Sequence, residues 1–225
     1  MDAEVLRRAP LFTGLDDDAV AALSETMGTV RLGRGDVLFR EGDSEDRLYV
    51  VVTGKVKLGR SGSAGREKLL AILGPGQMFG ELSVFDPGPR SSTATAVTAC
   101  ELRTLEQDEL TSWLTGRPEV ARGLLAQLAG RLRQANDVVA DLVFSDVPGR
   151  VAKQLLELSR RFGEQRADGL RVHHDLTQEE LAQLVGASRE TVNKALADFA
   201  ARGWLRLEAR AVVILDFDRL RNRAH

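Results

Sequence analysis

Cysteine is almost missing from this chain, with Cys100 the only one in 225 residues. A lone thiol closes no intrachain disulfide and fits a reducing compartment, so a cytoplasmic protein is expected. It also removes any iron–sulfur centre or zinc ribbon that needs four cysteines. Histidine is scarce too: His173, His174 and His225 all lie in the last quarter. The N-terminal half therefore has no histidine cluster for a metal or a haem, and the neighbouring pair His173-His174 reads as surface loop rather than a ligand set. No base is available beside Ser91 or Cys100, so an enzyme is not expected. No apolar run approaches the ~18 residues of a membrane helix, and the opening MDAEVLRRAP lacks the apolar core of a secretory signal.

What is present is globular in kind. Hydrophobic residues make up 43% and charged residues 28%, enough for one large or two ordinary domains with real cores. The formal charge of −2 is unevenly spread. Residues 1–144 carry 17 basic and 21 acidic side chains, a net −4, and residues 145–225 carry 14 and 12, a net +2. That asymmetry permits nucleic-acid binding by the C-terminal part without arguing for it.

After short helices at 3–8 and Asp16–Met27, the hydrophobic period shortens. Segments near 30–32, 37–41, 48–52, 55–60, 67–73, 78–79, 93–98 and 100–106 read as strands. Turn signals separate them, among them Gly33-Arg34-Gly35-Asp36, Ser61-Gly62-Ser63-Ala64-Gly65 and Gly74-Pro75-Gly76. Many short strands at even spacing imply an antiparallel barrel or jelly roll. Within this region the stretch FGELSVFDPGPRSSTATA, Phe79 to Ala96, gathers the chemistry. A Gly/Pro loop precedes Arg90, Ser91 and Ser92, and backbone amides lie near Gly80 and Leu82. Such a set suits one small anion, because a guanidinium fork, hydroxyls and free amides all donate to phosphate. Glu81 is a poor phosphate neighbour but a good acceptor for a sugar hydroxyl, so the stretch reads as a nucleotide pocket.

From Pro118 the period lengthens. Ala121, Leu125, Leu128, Leu132, Ala135, Val139 and Leu142 are spaced 4-3-4-3-4-3, which predicts one long helix with a heptad seam for a partner helix. Ser145 to Arg150, with Pro148-Gly149 in its middle, reads as an interdomain hinge. A helix over Val151–Phe162, a polar loop over Gly163–Gly169 and a strand near 170–172 follow. Thr177-Gln178-Glu179-Glu180 has capping-box spacing, and Ser188 is placed to cap a second helix over Arg189–Ala201. The turn Val185-Gly186-Ala187-Ser188 joins the two as a helix-turn-helix. Arg189, Glu190, Asn193 and Lys194 lie on the second helix away from its apolar face, types that read base edges. Two short strands beyond Gly203 predict a wing.

Three stretches carry a resemblance that spans nearly the whole chain. FGELSVFDPGPRSSTATA is similar to the phosphate-binding cassette of cyclic-nucleotide domains. GDVLFREGD with LYVVVTGKVKL is similar to the strands of such domains, and GASRETVNKAL resembles the recognition helix of the CRP/FNR family. The resemblance implies an α+β chain: a jelly roll over 1–116 binding a cyclic nucleotide, a dimerisation helix over 117–144 and a winged helix-turn-helix over 145–225. It implies a homodimeric transcription regulator with cyclic AMP as effector, double-stranded DNA as target and RNA polymerase as a further partner. Glu81 would hold the ribose 2′-hydroxyl; Arg90, Ser91 and Ser92 with the Gly80 and Leu82 backbone would hold the phosphate. Arg189, Glu190 and Lys194 would read a TGTGA half-site within a TGTGA–TCACA palindrome. Gln178 and Asn193 would complete the DNA surface, with Thr177 and Ser188 on phosphates. One departure stands out. Cyclic-AMP-dependent members carry a hydroxyl on the long helix where this chain has Ala135, next to Asn136, which in a dimer could reach the partner's pocket. That leaves open another effector, or DNA binding without one.

Overall fold

The computed structural model describes residues 2–62, 67–86 and 88–224. It divides into two compact units, Met1–Arg66 with Leu70–Gln134, and Ala135–His225 with Glu67–Leu69.

The first unit opens with α1 (Asp2–Leu6), a 3-10 turn (Pro10–Phe12) and α2 (Asp17–Thr26). Asp16 starts α2 by accepting the Ala19 amide at 2.8 Å, which satisfies one of the orphan donors of the first turn. Strands β1 (Gly28–Leu32), β2 (Val37–Phe39), β3 (Arg47–Thr53), β4 (Val56–Ser61), β5 (Glu67–Leu73), β6 (Met78–Phe79), β7 (Thr93–Ala96) and β8 (Cys100–Glu106) follow, with α3 (Glu81–Phe85) between β6 and β7. They form two four-stranded sheets, ordered β1-β8-β3-β6 and β2-β7-β4-β5, in the jelly-roll manner expected. The reason for two layers is visible in β3, whose middle five residues are all buried. Leu48, Val50 and Val52 pack with Met78 and Leu105 against α1, α2 and their neighbours. Tyr49 and Val51 point the other way, to Phe39, Val56, Phe79 and Leu102 of both sheets. Because strand side chains alternate, a strand hydrophobic at every position must be covered on both faces. Gly54 makes the β3–β4 turn possible: its φ is +80°, and a Cβ there would lie 2.2 Å from the Ala99 carbonyl oxygen.

Helix α4 (Gln107–Gly116), which the sequence pattern did not suggest, follows β8. Its N-cap is Glu106 rather than a hydroxyl or Asp, and it buries only Leu110. The long helix α5 spans Pro118–Phe144 as expected. Val120, Gly123 and Leu124 are buried in the first unit, whereas Leu125, Leu132, Val139 and Leu142 of the expected seam are exposed.

In the second unit α6 spans Val147–Phe162, so the hinge expected over 145–150 contracts to Ser145 and Asp146. Pro148 is tolerated because the first helical turn asks no amide of it, and Asp146 accepts the Gly149 amide at 2.9 Å. Gly163 to Gly169 is not a plain loop either. Residues Gly163–Arg166 form β9, paired antiparallel with β10 (Gly169–Val172) although all four are exposed. Then come α7 (Gln178–Val185), α8 (Arg189–Ala201), the hairpin β11 (Leu205–Glu208) with β12 (Ala211–Ile214), and α9 (Phe217–Arg223). The sheet order is β11-β12-β10-β9. Part of the turn read at 61–65, Pro87 of the loop before Arg90, and His225 lie outside the described residues.

Candidate ligand pocket and nucleic-acid interface

The pocket is built where β6 runs into α3. Gly80 sits between them with φ +85°, and a Cβ there would lie 2.7 Å from the Arg47 carbonyl oxygen and 2.8 Å from Arg90 Nη1. Only glycine lets the backbone turn this close to the guanidinium. The turn sends Glu81 inward, where it is 0% exposed, while Leu82 and Phe85 of the same helix face outward and are exposed.

A buried carboxylate needs a partner. Glu81 Oε1 accepts from Arg131 of α5, whose other terminal nitrogen donates to the Met78 carbonyl. Arg131 was not anticipated, since it lies 50 residues from Glu81 in the sequence. The second oxygen, Glu81 Oε2, is buried and has no hydrogen-bond partner among the described residues.

Arg90, 4% exposed, is held from several sides. Nη1 donates to the Gly80 carbonyl at 2.9 Å and to Ser83 Oγ at 2.7 Å. Nη2 donates to the Arg47 carbonyl at 2.7 Å and to Glu45 Oε2 at 3.0 Å. Its guanidinium carbon lies 4.2 Å from the Phe39 ring centroid, a cation–π contact. Its Nε is buried and has no hydrogen-bond partner among the described residues. Below it Tyr49 stacks on Phe79 at 5.3 Å and donates its hydroxyl to Glu45 Oε1 at 2.5 Å. Burial, and then the Glu45 hydrogen bond, push the Tyr49 hydroxyl well above its usual range, so it stays a donor. Glu45, Ser83 and Tyr49 were not anticipated, since they meet Arg90 only through the fold.

Of the group expected on the phosphate, then, Gly80 and Arg90 come together, and Glu81, expected on the ribose, is buried at the start of α3 next to Gly80. Ser92 is buried close by in sequence, and Ser91 is exposed. Ala135 and Asn136 are exposed on α5. Among the described residues no group of three or more His, Cys, Asp or Glu side chains is arranged to hold a metal ion. Cys100 is buried, and that burial pushes its thiol up.

The second unit presents the helix pair as expected. Thr177 Oγ1 accepts the Glu180 amide at 3.2 Å and Glu180 returns a carboxylate to the Thr177 amide at 2.8 Å, a complete capping box on α7. Gly186, with φ +73°, ends that helix in the left-handed region. Ser188 accepts the Thr191 amide at 3.2 Å and starts α8. Val192, Ala195, Leu196 and Phe199 are buried, which fixes the rotation of α8 and leaves Arg189, Glu190 and Lys194 exposed. Gln178 bridges the two helices: its Oε1 accepts from Asn193 Nδ2 at 3.0 Å and from Arg189 at 3.5 Å. Thr177 and Ser188 thus both use their hydroxyl oxygens to cap the helices they precede.

This geometry agrees with what comparison with known proteins gives. Residues 29–116 match the cyclic nucleotide-binding domain and residues 149–223 the Crp-like helix-turn-helix domain. The chain is 58% identical over 221 residues to the CRP-like cAMP-activated global transcriptional regulator of Mycobacterium tuberculosis, covering 98% of this chain and 99% of that one. It is 38% identical over 202 residues to the cyclic AMP receptor protein of Thermus thermophilus, covering 90% of each. The crystal structure of the Thermus thermophilus catabolite activator protein superposes with a TM-score of 0.57 at 36% identity, over 96% of this chain and 98% of that chain. The chain, matched over nearly its whole length by these relatives, belongs to the CRP/FNR family of transcription regulators, in its actinobacterial CRP-like group.

Proposed function

We propose that this regulator binds cyclic AMP, acts as a homodimer and reads a two-fold DNA site. The observation that carries the pocket is a complementary pair of unsatisfied buried atoms, Arg90 Nε and Glu81 Oε2. One is a donor lacking an acceptor, the other an acceptor lacking a donor, and leaving such groups unpaired is costly. A cyclic nucleotide carries both missing groups, a phosphate oxygen and a ribose 2′-hydroxyl. The names of the relatives favour cyclic AMP among nucleotides. Ala135 offers the base no hydrogen bond, which removes roughly 1–3 kcal/mol of base recognition and leaves phosphate and ribose recognition intact. Asn136, next to it, can both donate and accept toward a partner's nucleotide.

The exposed seam Leu125, Leu132, Val139 and Leu142 on α5 supports a second copy as partner, since a helix with such a stripe buries it against another. In the dimer Arg189 and Lys194 each take a guanine and Glu190 accepts from the cytosine paired to a guanine, which gives the inverted repeat TGTGA–TCACA. Thr177 and Ser188 set the register through phosphates. The nucleotide acts by population shift, favouring the dimer in which the recognition helices stand one DNA turn, ~34 Å, apart. Both a DNA target and a single buried thiol fit the cytoplasm, and RNA polymerase is the natural further partner of such a regulator. Calorimetry with cyclic AMP and cyclic GMP tests the pocket, and selection from random duplexes tests the DNA site. Absence of heat with either nucleotide removes the pocket reading; an asymmetric site, or a palindrome without GTGA, removes the base assignments.

A further inference from the structure

The loop between β2 and β3 brings an unexpected charge to the pocket. Residues 41–46, EGDSED, hold four acids. The loop is pinned beside Arg90 by two backbone bonds, Gly42 N to the Arg90 carbonyl at 2.9 Å and Arg90 N to the Asp43 carbonyl at 2.8 Å. Glu41 turns away to Arg60, and Asp43 accepts the Arg40 amide. Glu45 turns inward and meets Arg90 Nη2 at 3.0 Å, with its other oxygen on the Tyr49 hydroxyl.

We propose that Glu45 is an internal competitor for the ligand's phosphate and sets the affinity of the site. All four terminal N–H groups of Arg90 have acceptors, two of them backbone carbonyls that cannot leave. The unpaired Nε shares one edge of the fork with Nη2, and a bidentate anion takes that edge. Of the two acceptors on Nη2, only Glu45 is a movable side chain and only Glu45 is charged. Its carboxylate has the geometry and charge that a phosphate brings. A phosphate that completes the fork must therefore displace Glu45 or share one cation with it, and either cost is paid out of ligand affinity. Tyr49 holds the competitor in place, because its hydroxyl remains protonated and fixes Oε1. A regulator built in this way answers only to higher nucleotide concentrations than the same pocket without the acid.

This inference rests on the cyclic-nucleotide reading, and the test separates the two. Cyclic AMP is titrated by calorimetry into the full-length chain and into Glu45→Gln, Tyr49→Phe and Arg90→Ala, each checked for folding by its circular dichroism. Glu45→Gln keeps an acceptor for Tyr49 and removes the charge, and it is expected to tighten binding about tenfold. Tyr49→Phe keeps the ring stack, frees Glu45 to swing into solvent and tightens binding by a smaller factor. If wild type binds, Arg90→Ala does not, and Glu45→Gln binds equally or more weakly, then Glu45 orients the arginine and the competitor idea is wrong while the pocket stands. If no variant binds, including wild type and Glu45→Gln, both readings fall.

Discussion

Arg131 pairs with the buried carboxylate of Glu81, and the cost of removing it can be worked from the structure. Breaking a fully buried ion pair from one side costs about 3–5 kcal/mol, because the other charge is stranded. Here Glu81 is buried but the Arg131 side chain is 34% exposed, so water screens part of the interaction. The Met78 carbonyl loses one donor in Arg131→Ala yet keeps Gln127 Nε2 at 3.2 Å, so little is added there. The expected loss is therefore about 2–3 kcal/mol in the N-terminal unit. Adding Glu81→Gln removes the stranded charge, so the double variant should recover at least ~1 kcal/mol relative to Arg131→Ala. The chain has two tryptophans, Trp113 in the first unit and Trp204 in the second. In a Trp204→Phe background, urea unfolding followed by Trp113 fluorescence reports the first unit alone. An Arg131→Ala midpoint within ~0.5 kcal/mol of wild type, or a double variant no better than the single, would refute the argument.

Three further outcomes are expected. Leu132, 64% exposed on α5, should tolerate Glu in the monomer, but Leu132→Glu should shift sedimentation from dimer to monomer because the seam cannot bury an unpaired charge. Glu190→Ala should relax preference at one base pair by ~1–3 kcal/mol in competition binding, whereas Ser188→Ala should weaken all sequences alike and cost about 1 kcal/mol of helix stability. Asp146, held below the usual carboxylate range by Arg223 and the Gly149 amide, stabilises the second unit above its unfolded pKa near 3.8. That contribution should shrink as pH falls through the lower folded value, and Asp146→Ala should already be about 1 kcal/mol weaker at neutral pH by thermal unfolding.

The strands were legible because turn glycines punctuate them and β3 is apolar at every position between its ends. The helix-turn-helix was legible because Thr177, Glu180, Gly186 and Ser188 each perform a local job that any chain with those residues would perform. What escaped was not local. Helix α4 hides because Glu106 is an unusual cap and only Leu110 is buried, so no stripe marks it. Strand β9 exists because β10 offers it hydrogen bonds; its own residues, GEQR, carry no apolar signal. Pro148 and Gly149 read as breakers, yet at a helix start the missing amide is no loss. In the pocket, Gly80, Glu81 and Arg90 lie within eleven residues and could be read together. Glu45 and Arg131 are 45 and 50 residues from the side chains they hold, and only the fold brings them there.

The single thiol has a use beyond ruling out disulfides. Cys100 lies buried in β8 and its burial, with Asp36 nearby, raises its pKa, so little of the reactive thiolate forms and reagents have little access. The protein is thus ready-made for site-specific labelling without first being stripped of cysteine. A cysteine introduced at an exposed position such as Ala197 on α8 takes a maleimide dye or spin label alone, and Cys100 stays dark beneath the sheet.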